Sequence, residues 1–184
     1  MNWVIEKAAV GDLSALGRLF DELCDYLAAT ENFPGWEKGR YPVLAVAEEA
    51  FAADSLYVAR RNGQIVGTVT LNHLEPPAYG DAAWQLRDAA AVVHTLAVHP
   101  SCLHHGVGRA LMEYAVNWAR EQGSRTIHLD TYEKNTPAKR LYESLGFRFC
   151  GKIDLGYAAW GREWYDTYEL VLGTGGMVCS THGP

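Results

Sequence analysis

The residues whose types and spacing can do chemistry gather in one stretch, His94-Thr-Leu-Ala-Val-His-Pro-Ser-Cys-Leu-His-His-Gly-Val-Gly-Arg109. Ala89 to Val98 is an apolar run interrupted only by His94 and Thr95, as expected for a central strand covered on both faces. It leads through Gly106-Val107-Gly108 into a helix, where Val107, Leu111, Tyr114, Ala115 and Trp118 recur at helical spacing. The first N–H groups of a helix have no partner inside it, and the positive end of the helix dipole lies beside them, so this corner suits a pyrophosphate. A phosphoryl-transfer site would need Lys-Ser or Lys-Thr after the glycines, whereas Arg109-Ala110-Leu111 follows. Asp130 falls near the distance at which a dinucleotide fold places its ribose-binding acid. The antiparallel strands expected before the glycine loop do not fit that fold.

The surrounding elements follow from period and punctuation. Trp3 to Ala8 reads as a strand, and Asp12 is placed to cap a helix carrying Leu13, Leu16, Leu19, Phe20 and Leu23 on one stripe. Gly and Pro then break the chain between Thr30 and Pro42, where Trp36 and Tyr41 make an aromatic loop, and a short helix follows over Val43 to Phe51. Strands at Leu56 to Arg61 and Ile65 to Leu71 flank Asn62-Gly63, a pair suited to a tight hairpin turn. His73 to Asp88, with Tyr79 and Trp84, forms a long excursion. Thr126 to Tyr132 is the next strand. Asn135-Thr-Pro opens a helix bearing Ala138, Leu141, Tyr142 and Leu145, with Gly146 as its stop. Phe149 to Leu155 and Trp164 to Leu172 close the set.

On these residues the chain resembles the GNAT superfamily of N-acetyltransferases, which move an acetyl group from acetyl-CoA to an amine. Leu96-Ala-Val-His-Pro with Gly106-Val-Gly-Arg-Ala-Leu111 is similar to that family's pyrophosphate motif, and Asn135-Thr-Pro-Ala-Lys-Arg-Leu-Tyr-Glu-Ser-Leu-Gly-Phe147 to its second cofactor motif. The resemblance implies a three-layer αβα fold of the α/β (α+β) class with a mixed, mostly antiparallel central sheet that splays near His94 to Val98. It implies one such domain over residues 1–172 and acetyl-CoA as cofactor; residues 173–184, rich in Gly, Ser and Thr, read as a flexible tail. The pantetheine arm would lie along Leu96, Ala97 and Val98. Amides from His104, His105, Gly106, Val107, Gly108 and Arg109 would hold the pyrophosphate, and Asn135 and Lys139 would lie beside the cofactor. Two positions depart from the family pattern: Leu103 stands where Arg or Gln is usual and His104 where another glycine is common. One phosphate contact is therefore exchanged, and His104 or His105 is placed to donate instead.

An alkyl ammonium titrates near ~10.4, so the acceptor needs a base before it can attack a thioester. Alternation puts His94 on the face shared with Leu96 and Val98, and its ordinary pKa of about 6.5 leaves it neutral enough to take that proton. In the resemblance Tyr142 stands where the family often has a tyrosine beside the cofactor sulfur, able to protonate the departing thiolate. The structural alternatives are a buried His94 bonded to the backbone and a Tyr142 that only fills the apolar stripe with Leu141 and Leu145. Trp36, Tyr41, Tyr79, Trp84, Tyr157 and Trp160 supply walls for an acceptor pocket, with edge packing or a homodimer surface as the alternative use of so many aromatics. His94, His99, His104 and His105 lack a carboxylate or cysteine at ligand spacing, so no metal is expected.

The whole chain sets the bounds. It has 184 residues, 48% of them apolar, and 16 Lys plus Arg against 22 Asp plus Glu give a formal charge of −6. Scattered acidic charge disfavours nucleic acid and favours a cationic substrate such as a small-molecule amine. Cys24, Cys102, Cys150 and Cys179 form no Cys-x-x-Cys pair, and neither a leader nor a membrane span is evident, so a reduced, cytoplasmic enzyme is expected. A protein amino group as acceptor, or a silent acyl-CoA sensor, are the alternatives to a small amine.

Overall fold

The computed structural model describes residues 3–173, so all but the first residue of the expected tail lies outside the described residues. Strands β1 (Val4–Lys7), β2 (Leu56–Arg61), β3 (Gln64–Asn72), β4 (Ala90–Val98), β5 (Thr126–Tyr132), β6 (Arg148–Ile153) and β7 (Tyr165–Val171) form one seven-stranded sheet. Its order is β1-β2-β3-β4-β5-β7-β6, with β4–β5 the single parallel pair. The helices are α1 (Leu13–Ala29), α2 (Leu44–Ala52), α3 (Val107–Glu121) and α4 (Thr136–Ser144). The expected mixed, mostly antiparallel α/β architecture is therefore present. Element ends differ from the sequence expectations by one or two residues, as helix and strand ends do.

Burial sorts the helices into two layers. On one face Leu16, Leu19, Phe20 and Leu23 of α1 and Ala47 and Ala50 of α2 pack on Leu56, Val58 and Ala97. On the other, Leu111, Met112 and Ala115 of α3 and Tyr142 of α4 pack on Val69, Val93, Ile127, Leu129 and Tyr168. Asn62 and Gly63 turn β2 into β3 with φ of 51° and 79°, the twist a two-residue hairpin needs. Asp12 takes the expected position before α1 but its side chain does not cap that helix. Its Oδ2 accepts instead from Ala9 N (2.8 Å) and Arg60 Nη2 (2.6 Å), tying the chain start to β2.

Two features position everything downstream. The β4–β5 ladder holds only over Ala90–Val92 against Thr126–His128, beyond which the strands part. On the other side of β4 the pairing with β3 runs from Thr70↔His94 to Thr68↔Ala97, so Thr95 and Leu96 together oppose Val69. This is a β-bulge, and Thr95 adopts φ +45° within it. The extra residue resets the alternation: Val93, Leu96 and Val98 all contact the α3 and α4 layer, which sends His94 to the opposite face. The expectation that His94 shares a face with Leu96 and Val98 is thus corrected, because the period-2 rule fails across a bulge.

The excursion is clamped to the sheet. Glu169, fully buried on β7, accepts from Gln85 N (2.8 Å), Leu86 N (2.9 Å), Thr126 Oγ1 (3.1 Å) and Arg148 Nη2 (3.0 Å). Trp84 stacks on His128 at 3.9 Å and donates its Nε1–H to Tyr79 O (2.8 Å). His128 Nδ1 in turn bonds Glu75 Oε1 (2.5 Å). Tyr79 and Trp84 are consequently core residues. Burial alone would raise the Glu169 carboxyl, but its donors together hold it below the ordinary range. A lowered acid stabilises the fold above its unfolded pKa, and that stabilisation is lost as pH falls through the folded value. Glu169→Gln, which turns an NH2 toward those donors, is expected to cost about 3 kcal/mol at pH 7 by urea unfolding. The difference from wild type should shrink below about pH 4; equal midpoints at pH 7 would remove Glu169 from this role.

Candidate active site

Where β4 and β5 part, a cavity of about 1160 Å³ opens along the edge of β4. Val93 to Val98 form one wall and Asp130 to Tyr132 the other, with α4 closing one side through Ala138, Leu141 and Tyr142. His99 N donates to Val66 O on the β3 side, so by strand alternation the amides of Val98 and Leu96 point away from β3, toward the open side. Leu96 and Val98 thus offer free main-chain groups to an extended ligand, while Ala97 pairs with Thr68 of β3.

At one end of the cavity lies the glycine corner. Gly106 is the residue before α3 and takes φ +88°, and His104 takes φ +63°, a backbone path that turns successive amides outward. No side chain caps α3, and the first main-chain bond after the corner runs from Ala110 N to Gly106 O (3.0 Å). The amides of Val107, Gly108 and Arg109 are left without helical partners. His104, Gly106, Val107, Gly108 and Arg109 all line the cavity. Arg109 is held by Ser144 Oγ at 2.8 Å. His105 does not line the cavity, its main chain being turned back to Cys102 O. The corner fits a multiply charged phosphate group without any further residue.

The second motif divides. Asn135 lines the cavity but does not cap α4; its Nδ2 donates to Thr131 Oγ1 at 2.9 Å. Lys139 turns away from the cavity to meet Asp166, a buried carboxylate on β7 that requires a cation, at 2.5 Å. Lys139 is therefore not among the residues that line the cavity. Tyr142 lines the cavity with its ring tilted against Phe147 and Tyr168. Burial pushes its pKa well above the usual tyrosine value, so the hydroxyl keeps its proton at neutral pH.

Two titratable groups face the middle of the cavity. His94 Nε2 lies 3.1 Å from Asn72 Oδ1, an oxygen that also accepts from Leu74 N at 2.9 Å. An oxygen held this way makes Nε2 the donor and leaves Nδ1 to accept a proton. Burial lowers the His94 pKa, with the main chain of Leu74 opposing in part. Asp130, which the sequence raised only as a dinucleotide ligand, is the group the reading of the site missed. Burial pushes it up to about 6 despite the hydroxyl of Tyr79 donating to its Oδ1 (2.8 Å). Its only sequence signal was a carboxylate ending a central strand.

Aromatics close the far end. Trp36 and Tyr41 meet edge to face at 5.9 Å, and Tyr157 stacks on Trp160 at 5.0 Å. All four line the cavity, whereas Tyr79 and Trp84 do not, since the clamp on the excursion buries them in the sheet. Arg162 also reaches this end, a residue the sequence did not single out. Among the described residues no group of three His, Cys, Asp or Glu is placed to hold a metal, and no helix is long and apolar enough to cross a membrane.

Known proteins share part of the sequence and the shape. A 70-residue stretch is 36% identical to the streptothricin acetyltransferase of Streptomyces lavendulae, covering 38% of this chain and 35% of that protein. The chain spans about a third of the length of the curated relatives it matches. Its fold is that of a GNAT-family acetyltransferase from Streptococcus agalactiae, at TM-score 0.76 and 15% identity over 92% of this chain and 95% of that one. It is also that of yncA from Salmonella typhimurium, solved with its cofactor acetyl-CoA, at TM-score 0.63 and 19% identity over 95% and 96% of the two chains. The model of the Acetyltransferase (GNAT) family matches residues 20–147, well over half of the sequence and including both the glycine corner and the Asn135 motif. The chain belongs to the acetyltransferase (GNAT) family.

Proposed function

We propose that this protein transfers the acetyl group of acetyl-CoA directly to a primary amine of a small molecule. The observation that carries the reading is the continuity of one cavity, from the unpartnered amides at Gly106–Arg109, along the free edge of β4, to an end walled by Trp36, Tyr41, Tyr157 and Trp160. A long phosphate-bearing thioester and a compact acceptor would then meet between His94, Asp130 and Tyr142.

Acetyl-CoA supplies an activated carbonyl carbon and a sulfur leaving group. The residues do the rest. Amides of Val107 to Arg109 bind phosphate, with His104 beside them in the position of an additional donor. The edge of β4 aligns the arm, and its outward N–H groups stabilise charge that develops on the carbonyl oxygen. His94 Nδ1 takes the proton the amine gives up as its nitrogen bonds to carbon, and the carbon–sulfur bond breaks toward a thiolate that Tyr142 protonates. A tyrosine held protonated by burial suits that second role, because it does not lose its proton before the thiolate forms.

The reading is tested by following release of free thiol from acetyl-CoA with a panel of primary amines. Turnover with at least one small amine is expected, together with N-acetyl product; binding of CoA without turnover on any amine would leave a sensor instead. In the same assay Tyr142→Phe should lose roughly 100-fold or more in kcat with little change in acetyl-CoA affinity. Because burial lowers the His94 pKa, protonation should inactivate only below the ordinary value of about 6.5. The acid limb of kcat/KM is therefore expected under that value, and His94→Gln should abolish it. A limb near 6 that persists in His94→Gln and disappears in Asp130→Asn would move the base to Asp130.

A further inference from the structure

Arg162 is an unpaired buried charge. Its side chain lines the aromatic end of the cavity, the residue is 5% exposed, and Nε and Nη2 have no hydrogen-bond partner. A guanidinium stays charged at every physiological pH, so it cannot escape the cost of burial by losing a proton. Buried charges in proteins are normally paired.

Among the described residues no carboxylate makes an ion pair with it. The Arg162 stem is packed beneath Gly35, where a Cβ would come within 2.8 Å of Cδ, so a close approach of main chain fixes the direction of the side chain. The Gly161 carbonyl beside it accepts from Tyr132 Oη (3.3 Å). Asp154, which lines the same cavity, accepts through Oδ1 from Gly156 N (2.7 Å). The Arg162 Cζ lies 5.6 Å from the centre of the Trp160 ring, and Arg40 Cζ approaches the same ring at 5.4 Å. Two cations thus approach one aromatic ring. Tyr41 and Tyr165 also line this end; burial pushes both to about 12, so they remain neutral donors.

We infer that Arg162 is a specificity-determining residue that receives a carboxylate carried by the amine acceptor. The inference rests on the acetyl-transfer reading above and narrows its substrate to amino acids and related amines bearing a carboxylate. Such a molecule places its negative group on a planar, two-pronged donor and leaves its amine for the middle of the cavity, where Asp130 and His94 lie. The chain's net acidity, which favoured a purely cationic substrate, says nothing about this end, where the unpaired charge is positive. A buried donor set left empty by a substrate lacking the carboxylate penalises that substrate, which is how selectivity arises here.

The test compares matched pairs, amino acids against their carboxamides, in the thiol-release assay with wild type, Arg162→Met and Arg162→Lys. Wild type is expected to prefer the carboxylate member by tenfold or more in kcat/KM. Arg162→Met, which keeps the stem, should lose roughly 30-fold or more on the carboxylate member, far more than it loses on the carboxamide. Arg162→Lys should recover part of the loss. Equal rates on both members in wild type, or equal losses on both in Arg162→Met, would overturn the inference while leaving acetyl transfer intact. Absence of any acetylated amine would instead count against the transferase reading. Titration of the CoA-loaded protein with N-acetyl-L-phenylalanine and with its carboxamide reads the anion site without turnover. Binding of the acid alone, lost in Arg162→Met, is expected, and indifference to the carboxylate would contradict it.

Discussion

Strand β4 cannot satisfy both of its neighbours, and the molecule is organised around that conflict. The strand pairs with β5 for three residues and then separates, while against β3 it carries an extra residue in the bulge at Thr95. A threonine at φ +45° costs of order 1–3 kcal/mol, and such strain persists only where surroundings impose it. A hydrogen bond of 2.5 Å between Thr95 Oγ1 and Tyr41 Oη joins the bulge to the aromatic loop. The parting leaves amides of β4 without ladder partners, a condition that a buried backbone tolerates only when something else supplies acceptors. A carrier with amide groups along its arm would do so.

The buried charges divide by how the fold treats them. Glu169 is surrounded by donors and held ionised, and it fastens the Gln85–Leu86 segment to β7. Asp166 meets Lys139 through Oδ2, its Oδ1 being buried without a partner. Asp130 has a single hydroxyl donor and is pushed toward neutrality, and Arg162 has no partner on two of its nitrogens. The first two lie away from the cavity and act in stability; the last two line it. Groups left unsatisfied by the fold and facing a common space are the ones available to a ligand.

Much of this was legible in the residues. Among the described residues apolar periodicity located the α-helices and strands to within a residue or two, though not the short 3-10 turns, because each of those longer elements buries a face against the same sheet and the pattern records that burial. The glycine corner was legible because Gly106 sits where a left-handed backbone is needed. What escaped the sequence was tertiary. No local signal announces the bulge at Thr95, so His94 was assigned to the wrong face. Tyr79 and Trp84 look like the other aromatics until Glu169, 83 to 84 residues away along the chain, fastens the segment that carries Trp84. Nothing local announces the pairing of Lys139 with Asp166, and Arg162 draws no notice in the sequence, since a charge becomes informative only when its surroundings leave it alone.

The claim that the parted edge of β4 and the glycine corner together hold one phosphate-bearing thiol carrier is tested most directly by amide hydrogen exchange with and without saturating CoA. The account predicts slowed exchange in two separate segments, Leu96–Val98 and Gly106–Arg109, with the β2–β3 hairpin unchanged. Unaltered exchange in both segments under conditions where CoA binds would contradict it.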